Sequence, residues 1–401
     1  MNFALPLFPR GDLAAERFGC EVLGPIFAEF AQRLWTFQYY MPEKDDTCLL
    51  FCARGGLRLR QIYEAFLAAS GLSAPLPHAD LMISRLVAAR TGLAGPGPAL
   101  IEELGREFEG QTMAEVVLAL TQDPSIRLGP EWHHPFEADT FTALLEGESG
   151  RLVRQVVARL DGAFRRHLDQ VSQGRARAIL CDTGLYGSTI RLLQEGVPQM
   201  QWFAAQFARS NYKRFATPHF DVTVGLSVEQ DGYCPWNART CVLRFWHLIE
   251  SVLEPDLTSV KSFSNEPVPR SNLEEPGWQE RIGEDTQGLF TGVLTYLGGL
   301  SPEQLPGIET AAEEAWERLR QAIIWPGRQD LAVLSLSPRA RDFGRIEAVH
   351  QFPEGGAITS SLWREGAVVQ RYRRTGRLGL ALLEAAHSLR FLKRWSAARR
   401  A

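Results

Sequence analysis

The stretch that decides the fold reads Ala178-Ile179-Leu180-Cys181-Asp182-Thr183-Gly184-Leu185-Tyr186-Gly187-Ser188-Thr189. Its first four residues are apolar or small and predict a short buried strand that ends on an acid. Two glycines and two hydroxyl residues follow, and the apolar spacing up to Leu193 predicts a helix. Such a turn directs backbone N–H groups and the positive end of a helix dipole at one point. We therefore predict an anion site, with Asp182 placed to bind something else, such as sugar hydroxyls.

A second strand–glycine–helix unit lies earlier in the chain. Residues 47–53 are a continuous apolar run, short enough for a parallel strand that is buried on both faces. Arg54, Gly55 and Gly56 form the following turn, and residues 57–69 have the spacing of an amphipathic helix. This turn offers cations and open backbone, which suit a diphosphate.

A third short strand is predicted over residues 80–85, and it ends on Ser84 and Arg85. Arg58 crowds the Arg54 turn, so these three arginines are candidate diphosphate ligands. One loop with arginines and another with an acid together suggest a ligand that carries phosphates at both ends. Neither loop has the GxxxxGK[ST] pattern of a Walker A motif or the GxGxxG pattern of dinucleotide-binding folds.

The remaining pattern alternates helices with short apolar runs, which predicts an α/β fold with a parallel sheet flanked by helices. Further strands are predicted at 202–208 and 220–228, and further helices at 21–40 and 240–253. Residues 95–175 have helical spacing and little strand signal, so they predict a large helical insertion.

The sequence divides into an α/β core over 1–259, with its insertion, and a mostly helical region over 260–401 that contains a hairpin near 355–369. The tail 371–401 is strongly basic and amphipathic. Two interpretations of this tail remain open. It forms a helix on an anionic membrane surface, or it docks on its own domain with a solvated basic face.

Composition narrows the class of protein. The chain has 401 residues, 45% of them hydrophobic and 22% charged, and a formal net charge of -4, which does not suggest a nucleic-acid binder. The six cysteines show no CxxC spacing, which favours reduced, buried thiols in a cytosolic protein. No residue set predicts a metal held by the protein alone. No run approaches the roughly 20 apolar residues of a membrane span, so we expect a cytoplasmic protein.

The glycine loop that begins at Asp182 resembles the loop that binds phosphoribosyl diphosphate (PRPP) in phosphoribosyltransferases. In that family two acids end a strand, and a short spacer and Thr-Gly-x-Thr follow. Asp182 matches the second acid, Gly187 the glycine and Thr189 the final threonine. Cys181 replaces the first acid and Tyr186 the first threonine. The resemblance implies a phosphoribosyltransferase-like parallel sheet.

A closer resemblance extends over residues 21–352, to the glycan phosphoribosyltransferases of bacterial polysaccharide clusters. Their Asp-x-Gly-x-x-Gly-Ser turn is present in full from Asp182 to Ser188. Their Ala/Ser-Arg-Asp-Gly turn corresponds to residues 53–56, where Gly55 replaces the acid. No phosphatase DxDx[TV] signature ends a strand, so a phosphatase for the 5-phosphate would be a separate protein.

This resemblance implies transfer of 5-phosphoribose from PRPP, carried with Mg²⁺, to a hydroxyl of a glycan acceptor, free or lipid-linked, in O-antigen or capsule synthesis. Diphosphate leaves and the anomeric carbon inverts. Asp182, Arg54 and Arg58 are the expected catalytic residues. The expected substrate-binding residues are Arg54, Gly55, Gly56, Ser84, Arg85, Asp182, Thr183, Gly184, Tyr186, Gly187, Ser188 and Thr189.

Two other functions remain open. One is a phosphoribosyltransferase of nucleotide metabolism, although the long insertion and the basic tail argue against it. The other is a module that senses PRPP or a nucleotide without turnover, which Gly55 and Cys181 favour because both stand where acids are expected. Glu250 and Glu254, one helical turn apart, are the candidate general bases for an acceptor hydroxyl.

Overall fold

The structure, a computed structural model, describes residues 13–229, 233–340, 348–353, 357–372 and 375–398. A five-stranded sheet lies at its centre, and all neighbouring strands in it are parallel. The fold is therefore α/β, as the sequence predicts. The strands are β1 (Thr47–Cys52), β2 (His78–Leu81), β3 (Arg177–Leu185), β4 (Gln201–Arg209) and β5 (Thr223–Glu229).

The order of the strands, β2-β1-β3-β4-β5, determines where a ligand can bind. The chain passes from β1 outward to β2 and then returns to the other side of β1 to build β3, β4 and β5. The direction of winding thus changes between β1 and β3. In open parallel sheets a crevice forms at the carboxyl ends of the strands at such a switch point. Both predicted glycine loops follow these two strands.

The predicted strands are present, but three of them have different ends; the strand predicted at 220–228 begins at Thr223, after a 3-10 turn over Pro218–Val222. β3 does not stop at Cys181; it continues to Leu185, because Asp182 and Gly184 stay in register with Gln206 and Ala208 of β4. The strand predicted at 80–85 is shifted back to β2. Ser84 and Arg85, the predicted end of this strand, instead begin a helix. The side chain of Ser84 accepts a hydrogen bond from the N–H of Val87 at 3.2 Å.

Alternating side chains of the strands enter two apolar layers. Leu49 and Phe51 belong to one layer, and Cys48 and Leu50 to the other, and all four are buried. This alternation explains the unbroken apolar run of β1, since a strand covered on both faces needs no polar side. The first layer is covered by α1 (Leu13–Phe18), α2 (Gly24–Tyr39), α3 (Gly55–Ser70), α10 (Trp246–Leu253), α12 (Leu289–Gly298), α13 (Ile308–Ile324) and α14 (Arg328–Val333).

The opposite layer is covered by helices from the middle of the chain, and the helical prediction for 95–175 is confirmed. Whether this segment is an insertion into a known fold stays a prediction. These helices are α4 (Arg85–Thr91), α5 (Pro98–Glu107), α6 (Met113–Thr121), α7 (Ala138–Glu146), α8 (Arg151–Ser172) and α9 (Ser188–Gly196).

The C-terminal region packs on the sheet core. The ring centroids of Trp316 in α13 and Phe207 in β4 are 6.3 Å apart, and both residues belong to the same apolar layer. The boundary at 259/260 stays a prediction. The remaining helices of the C-terminal region are α11 (Trp278–Gly283), α15 (Arg364–Arg371) and α16 (Gly376–Ala398).

The prediction of a hairpin near 355–369 is wrong for residues 357–369, which the structure describes. Residues Ile358–Ser360 form a 3-10 turn and α15 begins at Arg364. Burial of Trp363, whose indole N–H donates to the carbonyl of Ile323 at 2.9 Å, fixes this segment against α13. Among the described helices, none has the length and apolar character needed to cross a membrane.

A candidate ligand-binding site at the carboxyl edge of the sheet

A cavity of about 410 Å³ opens at the switch point between β1 and β3. The structure brings almost all predicted site residues to its wall, although they come from three separate segments. Gly56 and Arg58 do not line it. The predicted residues that do are Arg54, Gly55, Ser84, Arg85, Asp182, Thr183, Gly184, Tyr186, Gly187, Ser188 and Thr189.

The two glycine loops touch each other inside this site. A Cβ atom on Gly55 would lie 2.6 Å from the Cγ2 atom of Thr183, which is closer than real contacts allow. A Cβ atom on Gly56 would lie 2.9 Å from the carbonyl carbon of Phe51 and 3.0 Å from the carbonyl oxygen of Cys181. Close packing of the α3 start on β3 therefore favours glycine at both positions, and an acid at Gly55 would have to displace the Thr183 methyl group.

The conformation of the Asp182 loop also depends on its glycines. Gly184 and Gly187 have φ angles of 113° and 77°, in the left-handed region that favours glycine. Between them the chain turns from β3 into α9, whose first residues line the cavity. The N–H of Thr183 donates to Oδ1 of Asp182 at 2.7 Å, so the carboxylate is oriented by its own loop. The peptide bonds before Arg54 and Leu185 are cis.

Arg54 and Arg85 line the cavity, and each also pairs with a carboxylate. Nη2 of Arg54 lies 2.9 Å from Oε2 of Glu254, and Nη1 of Arg85 lies 2.7 Å from Oε1 of Glu107. Arg54 also donates to the carbonyl of Leu257 at 3.2 Å. These contacts hold both guanidinium groups in place at the cavity wall.

Arg58 does not reach the cavity, so its expected role as a diphosphate ligand and catalytic residue does not fit the structure. Its buried guanidinium donates to the carbonyls of Val252, Ile282 and Glu284 at 2.6, 2.9 and 2.5 Å and lies over the ring of Phe290. Burial lowers the pKa of Arg58 to about 10. Arg58 joins α3 to the chain around α10 and α11.

Below the start of α9 lies a buried ion pair that carried no signal in the sequence. Nζ of Lys213 lies 2.5 Å from Oε2 of Glu103 in α5 and donates to Oγ of Ser188 at 2.7 Å. Burial lowers the pKa of Lys213, and Glu103 opposes this shift. The lysine orients the Ser188 hydroxyl at the cavity wall, while Glu103 balances the charge of the lysine.

Tyr186 supports the loop from below. Its hydroxyl donates to the carbonyl of Ala216 at 2.5 Å, and its own carbonyl accepts from Nε2 of His219 at 2.6 Å. The rings of these two residues, Tyr186 and His219, form an edge-to-face pair at 4.8 Å. Burial raises the pKa of Tyr186 to about 12. A side chain so fully engaged fixes the loop rather than exchanging protons.

Three further residues at the cavity wall matter for chemistry. Trp246 and Tyr212 add aromatic surface, and neither belongs to a motif that the sequence could reveal. Glu250, one of the two candidate bases, lines the cavity together with Glu254. Glu254 is paired with Arg54, and both acids stay candidate bases.

The donor set fits a magnesium ion that arrives with phosphates. Asp182 and Glu250 bring carboxylate oxygens, which are the hard ligands this ion prefers, to one cavity. Within the described ranges, no group of three His, Cys, Asp or Glu side chains is arranged to hold a metal. Phosphate oxygens of a substrate would therefore have to supply most of the ligands.

No protein-family model matches the chain, and no curated protein matches it in sequence. The case for a function thus depends on the geometry of this cavity. Its main features are arginines from one loop, an acid and a helix start from the other, and supporting contacts from α5 and α10.

Proposed function

We propose that the protein transfers 5-phosphoribose from PRPP to a glycan hydroxyl in the synthesis of a bacterial surface polysaccharide, and releases diphosphate. One observation carries the proposal. The glycine loops of two adjacent strands meet at a single cavity at the switch point, with arginines in one loop and an acid and helix start in the other. Its volume, about 410 Å³, lies in the range of small-molecule sites.

Each part of PRPP has a matching group at the wall. Arg54 and Arg85 suit the diphosphate, because one guanidinium group can donate two parallel hydrogen bonds to the oxygens of a phosphate. Asp182 suits the ribose hydroxyls. The 5-phosphate suits the segment 187–189, where N–H groups and two hydroxyls meet the start of α9 above Lys213.

The reaction breaks the bond between the anomeric carbon and the diphosphate oxygen, and the electron pair leaves with the diphosphate. Positive charge develops on the ribose, and the acceptor oxygen attacks from the opposite face. Preplaced cations such as Arg54 and Arg85 stabilise the charge on the leaving group. A carboxylate at the cavity wall, Glu250 or Glu254, accepts the proton of the acceptor hydroxyl. Magnesium, when bound to the phosphates, neutralises part of their charge, and Asp182 is its candidate protein ligand.

A second function has specific support. Both cavity arginines already pair with carboxylates, and the Cys181 side chain, at the position of an expected acid, is fully buried away from solvent. Both features favour a module that binds PRPP or a nucleotide without turnover.

We propose a cytoplasmic location with contact to the membrane through α16. Its inner side is anchored by buried Leu380 and by Glu384, which pairs with Arg244. Its outer side is apolar, since Leu378, Leu382 and Leu389 are 65–66% exposed. Glu384 is its single acid, whereas its arginines and lysine number four. An apolar stripe with basic flanks suits an anionic membrane, where a lipid-linked acceptor would reside.

The test is a turnover measurement on the full chain. The protein is incubated with PRPP, magnesium and a panel of lipid-linked and free oligosaccharides, and phosphorus NMR follows diphosphate release. The proposal predicts release that depends on an oligosaccharide, with a new phosphomonoester on that acceptor. PRPP binding without release would favour the sensing module, and release with a purine or pyrimidine would favour a nucleotide enzyme.

A further inference from the structure

A second cavity, of about 550 Å³, adjoins the first. Tyr212 and Leu243 line both cavities, so the two spaces share a wall. The far side of the second cavity is formed by α15 and α16, which place Arg364, Arg390 and Phe391 on it. No residue of the proposed PRPP contacts lies on this far side.

The second cavity carries an excess of positive charge. Four arginines and one glutamate line it. One of these arginines, Arg244, is already neutralised, because it pairs with Glu365 and, at 2.5 Å, with Glu384. Arg364, Arg390 and Arg394 make no hydrogen bond or ion pair with any residue in the described part of the chain. Three cations that have no partner among the described residues, gathered around one cavity, are typical of an anion site.

A histidine at the cavity wall reports the same charge. Burial and the positive charges of Arg244, Arg364 and Arg390 together lower the pKa of His387 to about 4, and Glu384 opposes them. The fields of three arginines therefore converge on one side chain. His387 is neutral at neutral pH and can donate or accept a hydrogen bond there.

Aromatic rings complete the wall. Tyr233 and Phe391 line the cavity with their ring centroids 6.4 Å apart, and Trp236, outside the lining, packs edge-on against Phe391 at 5.7 Å. Flat, partly exposed rings suit the apolar C–H faces of a sugar, as arginines suit a phosphate. The combination favours a sugar joined to phosphate over either component alone.

We propose that this second cavity binds a diphosphate-linked saccharide, with Arg364, Arg390 and Arg394 on the diphosphate and the sugar towards Tyr212. That the bound saccharide is the acceptor of the reaction depends on the proposed function; the binding itself does not. The helix that carries Arg390 and Arg394 also presents the apolar outer stripe of α16, so a lipid-linked head group and a free sugar phosphate are the two sources of this chemistry.

The test is calorimetric titration of the full chain with three probes. These are N-acetylglucosamine linked to decyl diphosphate, N-acetylglucosamine 1-diphosphate without the lipid, and uncharged decyl N-acetylglucosaminide. The double variant R390Q/R394Q should weaken binding of the decyl diphosphate probe by about 10-fold or more. R377Q, on the same helix but outside the cavity, should leave it unchanged. Tighter binding of the lipid probe than of the 1-diphosphate identifies a lipid-linked source, and equal binding identifies a free one.

The proposal would be overturned if R390Q/R394Q lost affinity equally for the charged and uncharged probes, or lost affinity for neither. If that variant fails to fold, R364Q on α15 provides the same comparison. PRPP is titrated in parallel with every variant. Probe binding without PRPP binding contradicts the proposed function and supports the second site. PRPP binding without probe binding supports the proposed function and contradicts the second site.

Discussion

Gly55 lies where the two loops of the site touch, and the methyl group of Thr183 fills the space beside it. A glycine at this position therefore has a packing reason in this chain, independent of catalysis. The acid that the family resemblance leads one to expect would displace Thr183 from the cavity wall. The missing acid is thus a consequence of how closely α3 approaches β3.

Replacing Gly55 by alanine should destabilise the protein by about 1–3 kcal/mol, because the new Cβ atom overlaps the Thr183 methyl group. Thr183→Ser removes that methyl group, so the double variant should regain most of the loss. Urea unfolding measures all four proteins. Gly162→Ala is the control: nothing lies near that position, and alanine within α8 should stabilise. Independent, additive effects of G55A and T183S would refute the contact.

His167 gives the stability a defined pH dependence. Its Nε2 atom accepts the N–H of Met82 at 3.0 Å, and burial lowers its pKa from 6.5 to about 4. Between these values the unfolded chain binds the proton more readily than the folded one, so stability falls as pH decreases from 6.5 to 4. The fall due to this group should reach about 3 kcal/mol. His167→Gln keeps an acceptor without titrating, and should unfold in urea with a smaller loss over that range; parallel pH profiles would contradict this account.

At the scale of elements, Arg58 shows what local sequence cannot reveal. Its position beside the glycine turn suggests a ligand, yet its three acceptors come from residues about 200 positions later in the chain. The β1 run and the Asp182 turn could be predicted because apolar burial and glycine geometry are local. The end of β3 could not, since it depends on register with β4.

Arg58→Met should therefore affect folding rather than ligand binding. Three buried carbonyls would lose their donor, and we expect destabilisation by about 2–4 kcal/mol in urea unfolding. PRPP affinity of the folded variant should stay within about twofold, whereas Arg54→Met should weaken it by about 10-fold. A stable R58M protein that no longer binds PRPP would restore Arg58 to the site.

At the scale of the whole molecule, the sheet, the middle helices and the tail each contribute to one edge. α5 provides Glu103 beneath the first cavity, and α16 closes the second. The sequence predicts the basic, amphipathic character of the tail, and of its two interpretations docking on its own domain is seen, whereas contact with a membrane stays a prediction. The helix docks through one side and leaves an apolar stripe on the other. Only tertiary packing distinguishes the two sides, because leucines occur on both.

The exposed stripe predicts binding to anionic membranes. Leu382→Glu/Leu389→Glu should reduce co-sedimentation with phosphatidylglycerol vesicles by about 10-fold, because it removes apolar area and adds repulsion. Leu152→Glu, at an exposed leucine on α8, is the matched control and should sediment like the unchanged protein. Equal sedimentation of both variants would contradict the membrane role of α16.

The central claim, that one cavity binds PRPP through both glycine loops, is tested most directly by titrating the protein with PRPP and magnesium in a calorimeter. The unchanged chain should bind. Asp182→Asn should weaken binding by about 5- to 150-fold, the equivalent of about 1–3 kcal/mol for lost charged hydrogen bonds. Asp169→Asn, the same change at an exposed position of α8, should have no effect. Failure of the unchanged chain to bind, or equal affinity in all three proteins, would contradict the claim.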